Sequence, residues 1–280
     1  MDAQECVRVS ARVGGVVLSK YDGALDEHGC YTGEGSAAFK NENVYSGTFA
    51  NGMMCGKGAF KWPDRSTAYE GDFDCNSLTG KGRYSWGDGS SYEGEVKDGL
   101  RHGTGIFKSG GGELCYEGCW ANGTRHGDGT QYYDSDKRCK YIGQWQNNKR
   151  SGRGVMAYAN GNTYEGDWRD DLRSGQGKMV WKDAREQYEG GWLEGQQNGY
   201  GVHVWLDDPP LSTAAATAVQ RQMCNTYRGE WRDGMRNGHG DFLYANGSSY
   251  SGAWRDNRKH GAAVYIYEDG RVFEGEFRDD

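Results

Sequence analysis

The chain has 280 residues, with 47 Gly, 13% aromatic residues and only 3 Pro. Collagen needs far more Pro and disordered chains far fewer aromatics, so this composition points to many short strands joined by tight turns. The 33 basic residues are scattered among 40 acidic ones for a formal charge of −7. Neither nucleic acid nor an anionic lipid surface is offered the clustered cations that it rewards.

Residues 1–20 precede the repeats and read as an N-terminal arm or a capping strand, with Val13–Leu18 placed to seal the first sheet edge. The N-terminus lacks the apolar run of a signal peptide. The 8 Cys are irregularly spaced without a C-x-x-C pair. Reduced thiols and an intracellular location are therefore expected. No stretch approaches the roughly 18 apolar residues of a membrane-spanning helix.

Residues 21–280 form a repeat array. The pattern Tyr-x-Gly-x-aromatic places Tyr45 with Phe49, Tyr69 with Phe73, Tyr116 with Trp120, Tyr141 with Trp145, Tyr164 with Trp168, Tyr188 with Trp192, Tyr227 with Trp231 and Tyr250 with Trp254. Tyr92 has Val96 in the aromatic slot, Tyr21 has Leu25, and Phe273 heads an incomplete last repeat. Most units continue with Gly-x-Gly eleven residues after the Tyr, as in Gly80-Lys81-Gly82.

Strand parity places Tyr164, Gly166 and Trp168 on one face and Glu165 and Asp167 on the other. Turn pairs such as Asn51-Gly52 and Asp98-Gly99 within units, and Asp88-Gly89 and Asn160-Gly161 between them, give two strands per unit. The predicted fold is all-β: an elongated, twisted, single-layer antiparallel β-meander of about ten hairpin repeats, roughly 100 Å long.

One insertion, at about 206–226, breaks the period. Pro209-Pro210 stops a strand there. The segment is either a surface loop or a partner-docking element with Pro209 and Pro210 as candidate contacts. At the other end Phe273–Phe277 is a first strand whose turn would begin at Asp279-Asp280, so either the chain is a fragment or a partner covers the edge.

No catalytic residue, cofactor-binding residue or metal ligand set is legible. Gly56-Lys57 and Gly80-Lys81 are each followed by Gly, which defeats a phosphate loop. His102, His126 and His260 recur at one place in their units, too far apart to converge on an ion. Cys115 and Cys119 share a face, with no His pair near them. Glu70, Asp72, Glu93, Glu95, Glu165, Asp167 and Glu189 alternate as a solvated face does. The aromatic row, in which Tyr92 joins the pairs named above, is expected to be structural and is a candidate partner groove.

The motif Tyr-Glu-Gly-Asp-Trp, followed by Gly-x-Gly, at 23-residue steps resembles the MORN (membrane occupation and recognition nexus) repeat over nearly the whole chain. The order Gly199–Trp205, insert, Tyr227–Trp231, Asn237–Gly240 and Asp269–Gly275 is similar to MORN-containing radial spoke head proteins of motile cilia. This resemblance implies a non-enzymatic structural scaffold of the ciliary or flagellar axoneme. Its implied partners are other radial spoke head proteins, with the central apparatus as a second contact and no nucleic acid or membrane. Two alternatives stay open: a MORN adaptor binding membrane or a signalling enzyme, and the accessory array of a larger enzyme.

Overall fold

The computed structural model describes residues 17–206 and 224–280. It is an all-β, open antiparallel meander of 21 strands, from β1 (Leu18–Leu25) to β21 (Val272–Arg278), with one short 3-10 turn at Pro63–Arg65. Two compact units divide it: residues 1–135 with 145–148, and residues 136–144 with 149–280. Within each unit every substantial strand contact is with the next strand in sequence, so each layer is one strand thick.

A unit consists of a Tyr strand and a Gly strand. β5 (Thr67–Asp74) and β6 (Ser77–Ser85) show the rule. Their turn is Cys75-Asn76, with φ of 46° and 68°. Two positive φ values in succession mark the turn type whose twist matches that of a hairpin. Equivalent turns at Asn51-Gly52, Asp98-Gly99, Asp170-Asp171 and Asp256-Asn257 have the same signs.

The regular second strand expected from parity is interrupted in a consistent way. Gly71 faces Gly82, but Asp72 faces Thr79, so Gly80 and Lys81 are the extra residues of a β-bulge. The same slip occurs in the hairpins from Tyr45, Tyr92, Tyr164, Tyr188, Tyr227 and Tyr250. Pairings between units, such as β6 with β7 (Ser91–Lys97), run in register past this point, and the one joining Phe107 to Tyr116 slips only at its end, where Lys108 faces Leu114.

The core of this thin layer is the aromatic row itself. Each repeat Tyr lies over the paired glycines, or over Gly252 and Ala263 in the case of Tyr250, and donates its hydroxyl to the carbonyl three residues on: Tyr45 to Thr48 at 2.9 Å, Tyr141 to Gln144 at 3.0 Å, Tyr227 to Glu230 at 2.9 Å. A side chain at the second Gly of Gly-x-Gly would collide with that ring. The ring is therefore laid over bare backbone, as in aromatic rescue of strand glycine. Burial pushes the phenols up, that of Tyr92 to about 12.

The insertion leaves this pattern intact. β16 (Gln196–Trp205) and β17 (Asn225–Arg232) pair without a register slip from Gly199 with Trp231 to Trp205 with Asn225. Pro209 and Pro210 lie outside the described residues, as does most of the 1–20 arm. Of the predicted sealing strand, Leu18 is the first residue of β1.

Candidate functional site: a sealed face and an open groove

The 17 aromatic residues expected to line a partner groove are closed to solvent. The nine repeat Tyr are 0–1% exposed, and Phe49, Phe73 and the six repeat Trp are 4–6% exposed. They are sealed by their neighbours in the chain. Tyr164 meets its own Trp168 edge-on at 5.1 Å and the next unit's Trp192 at 5.3 Å. Rings so enclosed pack the layer; what this face leaves open is a pocket of about 580 Å³ among Tyr84, Trp86, Leu100, Arg101 and Phe107, none of them in the predicted row.

Further contacts hold the Trp row. Each indole N–H donates to the second Gly of the preceding unit: Trp120 to Gly105 at 3.2 Å, Trp168 to Gly154 at 3.2 Å, Trp254 to Gly240 at 3.0 Å. In five of the six the outer face is covered by an Arg nine residues after the preceding Tyr; before Trp231 that place holds Gln197. Arg101 lies 4.2 Å over Trp120, Arg125 4.2 Å over Trp145, Arg150 4.3 Å over Trp168, Arg173 4.3 Å over Trp192 and Arg236 4.4 Å over Trp254. Each guanidinium also donates to a carbonyl in the next turn, as Arg173 does to Gly195 at 2.7 Å. These arginines were missed by sequence reasoning. Aligning the units on their Tyr would have shown Arg at the ninth place of five.

The opposite face is open. In the first unit a groove of about 1040 Å³ runs across the strands from Ser46 to Gly118. Its floor is the glycine row Gly58, Gly71, Gly82, Gly94 and Gly105, bare because the Tyr rings require glycine there. One wall carries Glu70, Arg83, Glu93 and Ile106, the other Lys57, Lys81, Glu95 and Thr104. In the second unit the same rows form a groove of about 550 Å³ among Arg153, Val155, Glu165, Gln176, Lys178 and Glu189.

The charged rows are not uniformly solvated. Residues one place after the Tyr, such as Glu70 and Glu93, flank Arg83 in register. Those three places after it cap the bulge: Asp72 accepts from the Lys81 amide at 2.9 Å, Glu95 from Thr104 at 2.9 Å, Asp167 from Gln176 at 3.0 Å and Glu230 from His239 at 3.0 Å. Lys57 and then the Lys81 amide hold the Asp72 carboxyl below its usual range, and the Thr104 amide does the same for Glu95. Gln144 performs the capping for Arg153 at 3.0 Å without a charge.

Of the other residues weighed in the sequence, Cys115 and Cys119 are free thiols, as are Cys55, Cys75 and Cys224. Cys30 departs from the expected reduced state, being disulfide-bonded. His102 and His260 each bury an Nδ1 without a hydrogen bond, and Nδ1 of His260 lies 3.7 Å from Asp279. His203, not singled out beforehand, is 7% exposed and stacks at 4.1 Å on Trp205, with Nε2 3.0 Å from Glu186. Among the described residues no helix is long and apolar enough to cross a membrane.

Comparison with known proteins agrees with this repeat. The family model for the MORN repeat matches nine segments: 45–67, 69–91, 92–113, 116–138, 141–163, 164–183, 188–207, 227–249 and 250–270. Alsin of Rattus norvegicus is 30% identical over 141 residues, 48% of this chain and 8% of alsin. Human alsin has the same identity and coverage. MORN repeat-containing protein 3 of Xenopus laevis is 36% identical over 75 residues, 25% of this chain. The match spans only 32% of that relative's own length. Among solved structures, the SAS-4 TCP domain in complex with a proline-rich motif of Ana2, from Drosophila melanogaster, aligns over 63% of this chain and 85% of its own. That alignment has 10% identity and a TM-score of 0.24.

Proposed function

Because the chain belongs to the MORN repeat family, we propose that it is a non-catalytic scaffold whose glycine-floored grooves hold an extended segment of a partner protein. The observation that carries this reading is the inequality of the two faces. The repeat Tyr and Trp row is consumed by internal packing, whereas the opposite face leaves the larger opening, a trough of about 1040 Å³ with a flat floor and charged walls. The first unit's groove crosses seven strands, roughly 29 Å at the usual strand spacing. That accommodates roughly nine residues of extended chain. Its walls mix Lys57, Lys81 and Arg83 with Glu70, Glu93 and Glu95, which suits a partner segment of mixed charge better than a uniformly anionic surface.

At finer grain, the proposed setting is the radial spoke head of the ciliary or flagellar axoneme, an intracellular cytoskeletal location. The partners would be other radial spoke head proteins, with the central apparatus as a second contact. This rests on the sequence resemblance to radial spoke head protein 10 homolog B, carried by the motif order around the 206–226 insertion.

Both grains are tested by identifying partners by mass spectrometry after gentle extraction from ciliated and unciliated cells. The wild-type chain is compared with a K57E/K81E/R83E variant. Spoke-head subunits recovered only from ciliated cells, and lost with the variant, are expected. Other proteins lost with the variant would keep the groove and overturn the ciliary setting. Partners unaffected by the variant would overturn the groove.

A further inference from the structure

Two thiols and a carboxylate meet at the hairpin of the Tyr69 unit. The sulfurs of Cys55 and Cys75 and a carboxylate oxygen of Asp74 all lie within 4.8 Å of one another. Cys55 sits half-buried on β4 (Met53–Trp62), and Cys75 is exposed in the turn after β5.

The repeat itself brings them together. The residue ten places after one Tyr stands beside the residue six places after the next. At these places Asn237 donates to Asp256 at 3.2 Å, and His260 lies 3.7 Å from Asp279. Only in the unit from Tyr45 are both places thiols. Their backbones are fastened to each other: the Asn76 amide donates to the Met54 carbonyl at 3.0 Å, and the Met54 amide to Asn76 Oδ1 at 2.8 Å.

We propose that Cys55, Asp74 and Cys75 form a binding site for a borderline-soft divalent cation of the zinc type, with its remaining coordination position open. Thiolate donors suit such ions and not magnesium or calcium, which take oxygen ligands. Zinc–sulfur bonds of about 2.3 Å set ligand atoms roughly 3.7 Å apart in a tetrahedron. The three atoms, within 4.8 Å of one another, need to close by only about 1 Å to reach that spacing, whereas a disulfide would have to draw the sulfurs to about 2.04 Å. Binding releases the two thiol protons to solvent and clips β4 to the following hairpin. Sequence spacing could not show this set, because the two Cys stand in different repeats.

The test is titration of the purified chain with Cd2+, read by thiolate-to-metal charge-transfer absorption, followed by displacement with Zn2+. The expected result is one saturable site with two thiolates, retained in C115S/C119S and lost in C55S, C75S and C55S/C75S. Asp74→Asn should weaken it by at least about tenfold. Zn2+ should raise the thermal midpoint of the wild type and leave that of C55S/C75S unmoved, with circular dichroism confirming that the variants are folded. Equal Cd2+ binding by C55S/C75S, or none by the wild type, overturns the site. Unchanged affinity in D74N overturns the carboxylate's place in it.

Discussion

A Gly-x-Gly pair looks symmetrical in sequence, yet its two glycines answer different physical demands. The first has positive φ and forms the bulge, as Gly199 does at +79° with no atom near enough to obstruct a side chain. The second needs space: a methyl group on Gly201 would stand 2.5 Å from two ring carbons of Tyr188. Gly199→Ala should therefore cost only the left-handed backbone penalty, about 1–2 kcal/mol. Asn at 199, which tolerates that conformation, should recover part of it. Gly201→Ala must displace a fully buried ring held by its bond to the Gly191 carbonyl at 3.0 Å, and should cost about 3 kcal/mol or more. Denaturant unfolding of the three variants checks the order, and a Gly199→Ala as damaging as Gly201→Ala would refute the division of roles.

At the scale of the strand pair, the joint between units is a co-ordinated choice of two residues about 19 apart in sequence. Where the slot nine places after the Tyr is Arg, it faces Trp in the next unit. In the unit from Tyr45 that slot is Met54 and the next unit's Trp place is Phe73, both buried. The surroundings already match the Arg type, since Asn76 and Phe60 stand where Asn257 and Phe242 support Arg236. Met54→Arg alone should destabilise by placing a cation where Phe73 buries only part of it, and Phe73→Trp alone by overpacking. The M54R/F73W pair gains the stacking and the turn hydrogen bond together. It should exceed the sum of the singles by at least about 1 kcal/mol in a double-mutant cycle, and an additive outcome would show that the slots are independent. This joint was illegible in the sequence because its partners lie in different units with no local signature. The turn pairs, the strand parity and the burial of the Tyr and Trp rows were legible because each is written within about five neighbouring residues. The bulge was hidden for another reason: parity counting assumes an unbroken strand, and Gly80-Lys81 breaks it. The glycine-floored groove was not foreseen, because a sequence reveals which side chains share a face but not which backbone those side chains leave bare.

For the molecule as a whole, acid should act on the two units at different pH. His203, in the second unit, is held neutral: burial lowers its pKa, outweighing the opposing pull of Glu186 at 3.0 Å, and Arg236 adds to the lowering. A histidine with a depressed folded-state pKa contributes stability above its unfolded value of about 6.5, and that contribution is lost as pH falls through the folded value. In the first unit the depressed groups are carboxylates, chiefly Asp72 beside Lys57 and the Lys81 amide, and Glu95 beside the Thr104 amide and hydroxyl. The contribution of these groups persists until pH falls below the usual carboxylate range near 4. Hydrogen exchange followed by mass spectrometry from pH 7 downward should therefore show peptides of the second unit losing protection first, and those of the first unit only in the carboxylate range. His203→Phe places at this slot the residue found at Phe60, Phe107 and Phe242, and should flatten the earlier loss alone. Asp72→Asn with Glu95→Gln keeps acceptors for the bulge amides, as Gln144 does, and should flatten the later loss alone. Simultaneous loss of protection in both units, unmoved by either change, would mean that titration elsewhere governs acid stability. The separation expected here follows from a chain in which each hairpin leans mainly on its neighbours, so that a charge introduced in one stretch is felt chiefly where it arises.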